Sequence, residues 1–423
     1  MHRVFAVTLL AALALPAAAR AQTTAITGGT VHTVSGPRLE NATVLVRDGR
    51  ILAVGTDVEI PAGARRIDAT GKWVTPGFIH PWTSIGLVEV GLSAGPSDDA
   101  ARGEEAIAAT FRPWDALNAE SPMIEHVRYD GITTLGIAPS GHLIAGQHAL
   151  IDLVDGSGAE MLRLGPAAMV AQLASAGGGG EGARGELIGR LREVLRDARE
   201  WPRRRAAVEE NRSRPLAASP ADLDALQPVL AGDIPLVIAA HRVAEIDAAL
   251  AVARDFGIRI VLLGAAEAWM RAQAIADLGV PVVVGGIRNI PADFNTLGAR
   301  GDNAALLRAA GVEVVLFVDS YGDGGSFNAG NLRFEAGNAV ANGLSWEDAL
   351  RAVTLAPARA FGAGDRIGAI APGMDANVVV WSGDPFEFAT RAETVLIRGE
   401  PVDLMTREQE LTRRYRNLPP RWR

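Results

Sequence analysis

Residues 74–86, VTPGFIHPWTSIG, are the stretch that decides the fold of this chain. An apolar, β-rich run leads into His80, Trp82 and Ser84, which stand at alternate positions. Because alternate residues of a regular strand point to the same face, these three side chains are expected on one side of a sheet. The stretch therefore predicts a buried strand that carries aromatic and polar groups into the interior of the protein.

Apolar runs and amphipathic helices alternate after this strand. Seven runs follow it: ITTLGIA (132–138), ALIDLV (149–154), MLRLG (161–165), PLVIAA (235–240), IRIVLLG (258–264), VPVVVGG (280–286) and VEVVLFVD (312–319). Helical spacing is present in residues 243–256, 267–278, 304–310 and 334–341. Continuous Val/Ile/Leu runs are typical of parallel strands that are covered on both faces. Eight such strands predict an α/β fold with a TIM-type (β/α)8 barrel over residues 73–366. An open doubly wound sheet is the alternative.

Short strands are predicted at both ends of the chain. The β-rich segments are residues 26–34, 43–47, 50–54, 376–381 and 394–398. Neither end has enough strands to bury a face alone, so the two ends are expected to form one small composite β-sandwich. Residues 22–72 would supply its N-terminal part, and residues 367–423 its C-terminal part and a tail.

The first 21 residues have the layout of a secretory signal peptide. A basic start at Arg3 precedes an apolar run, and a small-residue site ends at Ala21. We expect cleavage after Ala21, export to the periplasm and no membrane span in the mature chain. The alternative is a retained anchor, although the run is shorter than the about 20 apolar residues that span a bilayer.

Composition excludes several kinds of site. The chain has no cysteine, so it has no disulfide, no thiolate nucleophile and no Cys-based zinc site. The net charge of −8 is spread along the chain without a basic tract, which argues against a nucleic-acid partner. Only one lysine, Lys72, is present. A small molecule, a second copy of the chain or a related protein is the expected partner.

Residues 175–212 interrupt the alternation of strands and helices. A glycine run at 177–180 precedes a highly charged segment, and the first half of that segment has one apolar stripe, which indicates an amphipathic helix. Pro202 is expected to end or kink this helix. We interpret the segment as a solvated insertion over the barrel, and a partner-binding arm is the alternative.

The sequence resembles the amidohydrolase superfamily, and in particular its exported, imidazolonepropionase-like group. The resemblance lies in TVLVRDGRILAVG with IDATGKWVTPGFIH, in AGVEVVLFVDS, and in the run from NGLSWEDALRAVTLAPARAFG to the return strand ANVVVW. It covers nearly the whole mature chain. It implies a hydrolase of carbon–nitrogen bonds other than peptide bonds, with one or two zinc ions at the C-terminal mouth of the barrel.

The ligands that the family pattern implies are mostly replaced. The two histidines of its first strand fall on Trp82 and Ser84, and neither an indole N–H nor a neutral hydroxyl is a good zinc ligand. Gly264 stands where the sixth strand should carry a histidine. Only Asp319, at the end of the eighth strand, matches, and it is the catalytic candidate; an acid held by backbone donors is the alternative.

Two further ligand positions stay open in the sequence. The bridging lysine of the fourth strand cannot be present, because Lys72 precedes the first barrel strand, but Glu160 is a candidate substitute. The fifth strand places Ala239 at the ligand position, and a shift of two residues would place His241 there.

The energetic loss favours an inactive protein. Zinc lowers the pKa of bound water from about 16 to about 7, and this shift corresponds to roughly 12 kcal/mol. A lone aspartate as general base recovers about 3–5 kcal/mol. The leading hypothesis is a non-catalytic member, a pseudoenzyme without a cofactor, that binds a small ligand or pairs with an active relative. The runner-up is a hydrolase with one zinc ion on His80, His241 and Asp319, and a purely structural protein is the third.

The remaining pocket candidates are less specific. His142 and His148 lie in PSGHLIAGQHAL (139–150), which reads as a glycine-rich loop at the barrel mouth or as a solvent-exposed turn. Trp82 is expected to fill the space of the lost metal centre with apolar bulk, because buried voids are destabilising. The alternative for Trp82 is a platform on which a ligand stacks. His80 is otherwise expected to be a hydrogen-bonded interior residue.

Overall fold

A computed structural model describes residues 23–89, 97–101, 106–173, 183–210, 212, 214–285, 291, 293–318 and 328–416. The strands are β1 (Thr24–Val31), β2 (Leu39–Arg47), β3 (Arg50–Gly55), β4 (Arg65–Asp68), β5 (Trp73–Pro76), β6 (Phe78–Thr83), β7 (Ile132–Ile137), β8 (Ile144–Asp152), β9 (Leu162–Gln172), β10 (Leu236–Ala240), β11 (Ile260–Gly264), β12 (Val282–Gly285), β13 (Val314–Phe317), β14 (Val378–Trp381), β15 (Ala392–Ile397) and β16 (Glu400–Pro401).

The helices in the same residues are α1 (Pro122–Tyr129), α2 (Gly158–Met161), α3 (Arg184–Glu209), α4 (Pro220–Ala225), α5 (Gln227–Ala231), α6 (Val243–Phe256), α7 (Ala272–Asp277), α8 (Asn303–Ala309), α9 (Leu332–Ala341), α10 (Trp346–Ala352), α11 (Leu355–Ala360) and α12 (Arg407–Tyr415). No helix among the described residues has the length and apolar character needed to cross a membrane. The predicted signal peptide lies outside these residues and stays a prediction.

The strands from the two ends of the chain form one continuous sheet. Its order is β16-β15-β14-β5-β1-β2-β3, and β4 pairs with β1. The two ends meet where β14 runs antiparallel to β5, with Trp381 opposite Trp73. The composite origin of this sheet agrees with the expectation that neither end is stable alone. The predicted β-sandwich is not confirmed, and the predicted domain boundaries stay predictions.

The second sheet is nearly closed and contains all eight predicted barrel strands. Its order is β6-β7-β8-β9-β10-β11-β12-β13, and the terminal strands β6 and β13 lie against each other. β8 runs antiparallel to both β7 and β9, so the regular all-parallel (β/α)8 pattern is wrong at this strand. Only residues 138–143 connect β7 to β8, and a parallel crossover needs a dozen or more residues.

The interior of this barrel is filled with apolar side chains. Alternate residues of the strands supply them, among them Ile79, Val237, Val261, Val283 and Val315, and all of these are buried. Helices such as α6 cover the outside. The residues predicted as helix 243–256 coincide with α6, which ends because Gly257 adopts the left-handed conformation at its C-terminus.

Helix α3 is longer than the sequence predicts. Pro202 was expected to end or kink it, but the helix continues through this residue to Glu209. A proline inside a helix costs roughly 3 kcal/mol. The buried face of α3, which includes Leu195 and Trp201 on the N-terminal side of Pro202, compensates for this loss.

A buried ionic junction joins the two sheets. The Asp152 side chain is fully buried; Thr134 Oγ1 donates to it at 2.9 Å, Arg163 Nε at 2.8 Å and Arg398 Nε at 2.7 Å. Thr134 and Arg163 belong to the barrel, whereas Arg398 lies between β15 and β16 of the composite sheet. The carboxylate therefore fixes one sheet against the other.

Replacing Asp152 by alanine tests this junction. Asp152→Ala should lower the free energy of unfolding by about 3–5 kcal/mol, because two arginines would lose their buried counter-charge. Asp115→Ala is the matched control; it removes an exposed ion pair with Arg112 and should cost less than about 1 kcal/mol. Urea denaturation measures both values, and equal losses would contradict the role of Asp152.

Candidate functional site at the barrel mouth

The end of β6 places the residues that the sequence singled out. Trp82 is half-buried on the strand, and Ser84 is buried directly after it. The Ser84 carbonyl accepts hydrogen bonds from the backbone N–H groups of Leu87 and Val88, both at 2.9 Å. The first barrel strand therefore ends in an ordered turn and presents an indole at the C-terminal mouth of the barrel.

Trp82, His148 and Phe361 form a stack of three rings. The centroid of the His148 ring lies 5.8 Å from that of Trp82 at an interplanar angle of 17°, and 4.4 Å from that of Phe361 at 25°. His148 and Phe361 are fully buried. Because aromatic rings prefer such offset stacking, the three side chains pack the end of β6 with apolar bulk. The expectation that Trp82 fills the space of the lost metal centre stays a prediction, as does its alternative role as a platform for a ligand.

The chemistry of His148 is set by burial and by one carbonyl group. Its Nε2 lies 2.9 Å from the carbonyl oxygen of Pro81, which can only accept, so Nε2 carries the proton. Nδ1 is buried without a partner among the described residues. Burial lowers the pKa of His148 to about 4, and the hydrogen bond to Pro81 raises it in part. The ring is therefore neutral at physiological pH.

His80 closes the barrel and does not face a ligand. The Val318 backbone N–H donates to His80 Nε2 at 3.2 Å, so the first strand is joined to the end of the last one. The Trp82 backbone nitrogen lies 3.4 Å from Nδ1. A neutral imidazole accepts at one nitrogen only, and the shorter contact identifies Nε2 as that acceptor. The side chain is completely buried, and burial lowers its pKa to about 3.

His241 lies at the mouth, directly after β10. Ala239, two residues earlier, lines the barrel interior. Of the two registers that the sequence left open for the fifth strand, the one shifted by two residues has His241 at the end of the strand. A Cβ on Gly264 would overlap the His241 ring, and Gly264 has a φ of 83°. The ring therefore lies over Gly264, where a sixth-strand side chain would start. Its Nδ1 is buried without a partner among the described residues.

A buried carboxylate holds the turn that carries His241. Glu245 Oε2 accepts the backbone N–H groups of His241 at 2.7 Å and Arg242 at 3.1 Å. Arg184, the first residue of α3, donates to the other oxygen of Glu245 and to Asn295. The insertion helix, the fifth-strand turn and the loop after β12 are thus tied together at the mouth.

Several sequence candidates lie elsewhere. His148 is on β8 and not on a loop, so the loop predicted for residues 139–150 is wrong beyond residue 143. His142 lies in the preceding turn, with Nε2 2.6 Å from the Ala101 carbonyl oxygen. Glu160 forms a capping box with Ser157 at the start of α2, before β9, so it is not at the mouth. Asp319 lies outside the described residues.

The described residues do not fit the metal centre that the family pattern implies. Lys72 forms an ion pair with Glu393 of the composite sheet at 2.8 Å, and β9 ends at Gln172. Gly264 has no side chain. His80 Nε2 accepts a hydrogen bond from the Val318 backbone N–H group, and His148 Nε2 donates one to the Pro81 carbonyl group. Across the described ranges, no three His, Cys, Asp or Glu side chains converge in a way that could hold a metal ion.

Sequence reasoning missed three residues of this site. Phe361 completes the aromatic stack, Glu245 holds the His241 turn, and Gly136 gives room to His148. A Cβ at Gly136 would come 2.5 Å from His148 Nε2 and would overlap the Pro81 carbonyl group. A glycine inside a strand often marks such close approach, so ITTLGIA contained a usable signal. Phe361 and Glu245 had none.

The comparisons with known proteins agree on one family. The model described as "Amidohydrolase family" matches residues 244–405. An imidazolonepropionase from Acidiphilium cryptum is 26% identical over 389 residues, which cover 82% of this chain and 89% of that relative. An amidohydrolase from Thermotoga maritima MSB8 has a similar structure, with a TM-score of 0.80 and 26% identity, covering 90% of this chain and 99% of that one.

Other matches to curated relatives are local. An imidazolonepropionase from Ralstonia nicotianae is 33% identical over 115 residues, which cover 23% of this chain and 28% of that protein. Two further relatives are matched over 7% and 12% of their own length. These short matches support kinship and carry no information about a shared substrate.

The contact of Gly264 with His241 predicts a coupled pair of substitutions. Gly264→Ala should lower the free energy of unfolding by about 2–3 kcal/mol, because the methyl group overlaps the ring and φ is positive. In a His241→Ala background the same change should cost only about 1 kcal/mol, since the backbone strain alone remains. A double-mutant cycle in urea measures the difference, and additive losses would show that the ring does not lie over Gly264.

The buried histidines predict instability in acid. The pKa values of His32, His80 and His148 are lowered to about 4, 3 and 4 by burial. Below pH 6.5 the unfolded chain binds protons that the folded chain does not, so stability is complete above this pH and falls as the pH drops towards 4.

A substitution of His148 measures its share of this effect. His148→Phe should reduce the slope of unfolding free energy against pH by about 1.4 kcal/mol per pH unit between pH 6 and 4.5. Leu52→Ala, which changes an exposed side chain without a titratable group, should leave the slope unchanged. Urea denaturation at several pH values gives the slopes. Unchanged slopes in both variants would refute the assignment of a neutral, buried His148.

Proposed function

Because the chain belongs to the amidohydrolase superfamily, we propose that it is a member that no longer performs metal-dependent hydrolysis of carbon–nitrogen bonds. Its barrel mouth instead binds a small ligand, or the chain pairs with an active relative. The proposal starts from the family assignment. Its support comes from the side chains at the mouth, which differ from the family pattern at most ligand positions.

The stack of Trp82, His148 and Phe361 is the observation that carries this proposal. It occupies the end of the first barrel strand with rings at centroid distances of 5.8 and 4.4 Å. The indole nitrogen can only donate, and the Nε2 proton of His148 is engaged by Pro81. These groups offer a metal ion no anionic donor and a single imidazole nitrogen, the buried Nδ1 of His148, whereas catalytic zinc sites ordinarily have three protein ligands.

The mouth nevertheless retains features of a binding site. Trp82 is half-buried, so part of its side chain is accessible. His241 Nδ1 is buried and has no partner among the described residues, and an unsatisfied buried polar atom is destabilising unless a ligand or water satisfies it. An indole at the end of the first strand and an imidazole nitrogen after the fifth suit a planar ligand that carries a hydrogen-bonding group and spans the mouth.

A second candidate function rests on the same atom of His241. A reduced zinc site on His241 and Asp319 would engage the free Nδ1 and support hydrolysis by a smaller centre. His80, which the sequence suggested as the third ligand, is unavailable because its Nε2 accepts the Val318 N–H. Two protein ligands are one fewer than catalytic zinc sites ordinarily have, so this candidate ranks second.

Metal analysis distinguishes the two candidates. Protein purified without chelator and dialysed against zinc should retain substoichiometric metal, and Asp319→Ala should retain as little as the wild type. Elemental analysis by mass spectrometry measures both. Stoichiometric zinc that is lost in both Asp319→Ala and His241→Ala would establish the reduced site and overturn the proposal.

A fluorescence measurement tests the binding role separately. Quenching by acrylamide reports exposure of tryptophan, and the difference between wild type and Trp82→Phe isolates the signal of Trp82. Imidazole, used as a small planar probe, should protect this signal in a saturable way. His241→Ala should weaken the affinity of imidazole by about fivefold, because one hydrogen bond to a neutral nitrogen is worth about 1 kcal/mol. Protection that is equal in His241→Ala argues against a ligand site at the mouth.

A further inference from the structure

A cleft lies at the junction between the composite sheet and the barrel. Its volume is about 450 Å³. The hairpin between β2 and β3, the start of β9, the segment after α11 and the turn after β15 form its walls. Four arginines line it: Arg50, Arg163, Arg366 and Arg398. Such a concentration of guanidinium groups is unusual in a chain with a net charge of −8.

The floor of the cleft is a satisfied ion-pair network. Arg163 donates to Asp152 and, through Nη1, to Asp375 at 2.8 Å, and the Arg163 and Asp375 side chains are only 9% and 8% exposed. Burial raises the pKa of Asp375, but the hydrogen bonds from Arg366 and Arg163 outweigh burial and lower it. Asp375 is therefore ionised, and the floor is rigid.

The rim of the cleft has donors that the protein does not use. Arg366 donates to Asp375 through Nε and Nη2, which leaves Nη1. Arg398 uses Nε for Asp152 and Nη1 for the Glu160 carbonyl group, which leaves Nη2. Arg50 is exposed, and its guanidinium group has no hydrogen-bond or ion-pair partner among the described residues. Free N–H groups of three arginines thus border one cavity.

The backbone places Arg398 at this cleft at an energetic cost. Arg398 has a φ of 50°, in the left-handed region where tight hairpins ordinarily place Asn, Asp or Gly. A Cβ on the facing Gly49 would lie 2.9 Å from the Arg398 carbonyl oxygen, so the two hairpin turns are in close contact. The turn therefore holds Arg398 between the junction and the open cleft.

We propose that this cleft binds a small oxyanion, a compact molecule with a carboxylate or phosphate group held by Arg50, Arg366 and Arg398. The planar guanidinium group has the geometry for bidentate contacts with both kinds of group. Asp48 and Asp365 also line the cleft and are exposed. Four arginines and three aspartates line the cleft, and Asp152 pairs with Arg163 and Arg398 beneath it. The attraction for a small anion therefore rests on the unused N–H groups of Arg50, Arg366 and Arg398 and not on a large net charge, which disfavours a polyanion.

Titration calorimetry on the full-length protein tests the site with two probes, inorganic phosphate and succinate, against chloride at equal ionic strength. At least one probe should bind saturably with one site per chain. Arg50→Ala should weaken that binding by about tenfold or more, as expected for the loss of a charge-assisted hydrogen bond. The probe that binds more tightly shows whether the cleft prefers a phosphate or a carboxylate group.

Two control variants make the result specific. Arg66→Ala removes an equally exposed arginine from β4, away from the cleft, and should leave the affinity unchanged. Arg50→Lys keeps the charge and should restore part of the affinity. Saturable binding of neither probe, or equal weakening by Arg50→Ala and Arg66→Ala, would overturn the proposal. The metal content and the fluorescence signal of Trp82 test the proposed function of the barrel mouth. Neither measurement depends on whether the cleft binds an anion.

Discussion

The packing of His148 between Trp82 and Phe361 governs the barrel mouth. The three rings stack with centroid distances of 5.8 and 4.4 Å, and such close packing fills the space beside the end of β6. Gly136 shows how tight this region is, because a single additional carbon there would overlap the Pro81 carbonyl group. The neutral state of His148 follows from the same packing, since burial removes the water that would stabilise its charge. Shape, protonation and donor set at the mouth therefore have one cause.

The barrel and the composite sheet depend on each other through polar contacts as well as through apolar ones. His80 joins the first barrel strand to the last, and Asp152 joins the barrel to the turn at Arg398. Buried charges contribute little net stability but penalise any arrangement that leaves them unpaired. The network thus selects one relative position of the two sheets. The arginine-lined cleft is a consequence, because the junction brings arginines from distant segments to one surface.

Much of the fold could be predicted from local pattern. All eight barrel strands and the bounds of α6 follow from hydrophobic periodicity, which is a local property of the chain. The antiparallel direction of β8 could not be predicted in this way, because an apolar run has the same composition in either direction. Pro202 was misjudged for a related reason: its local cost is fixed, but the burial of Leu195 and Trp201 that offsets it depends on segments from elsewhere in the chain that pack against α3. Glu160 looked like a ligand only while its position relative to the mouth was unknown.

The residue types determined by themselves which donor atoms are available to a site. No fold can make Trp82 an acceptor, supply a thiolate, or move Lys72 onto a later strand. Only the tertiary structure decided which of the remaining groups meet: His241 over Gly264, His148 against Phe361, and Arg50 beside Arg366 and Arg398. The reason is physical. Chemical identity resides in the side chain, whereas proximity, burial and the pKa values they produce depend on segments that are far apart in the sequence and are brought together only by folding.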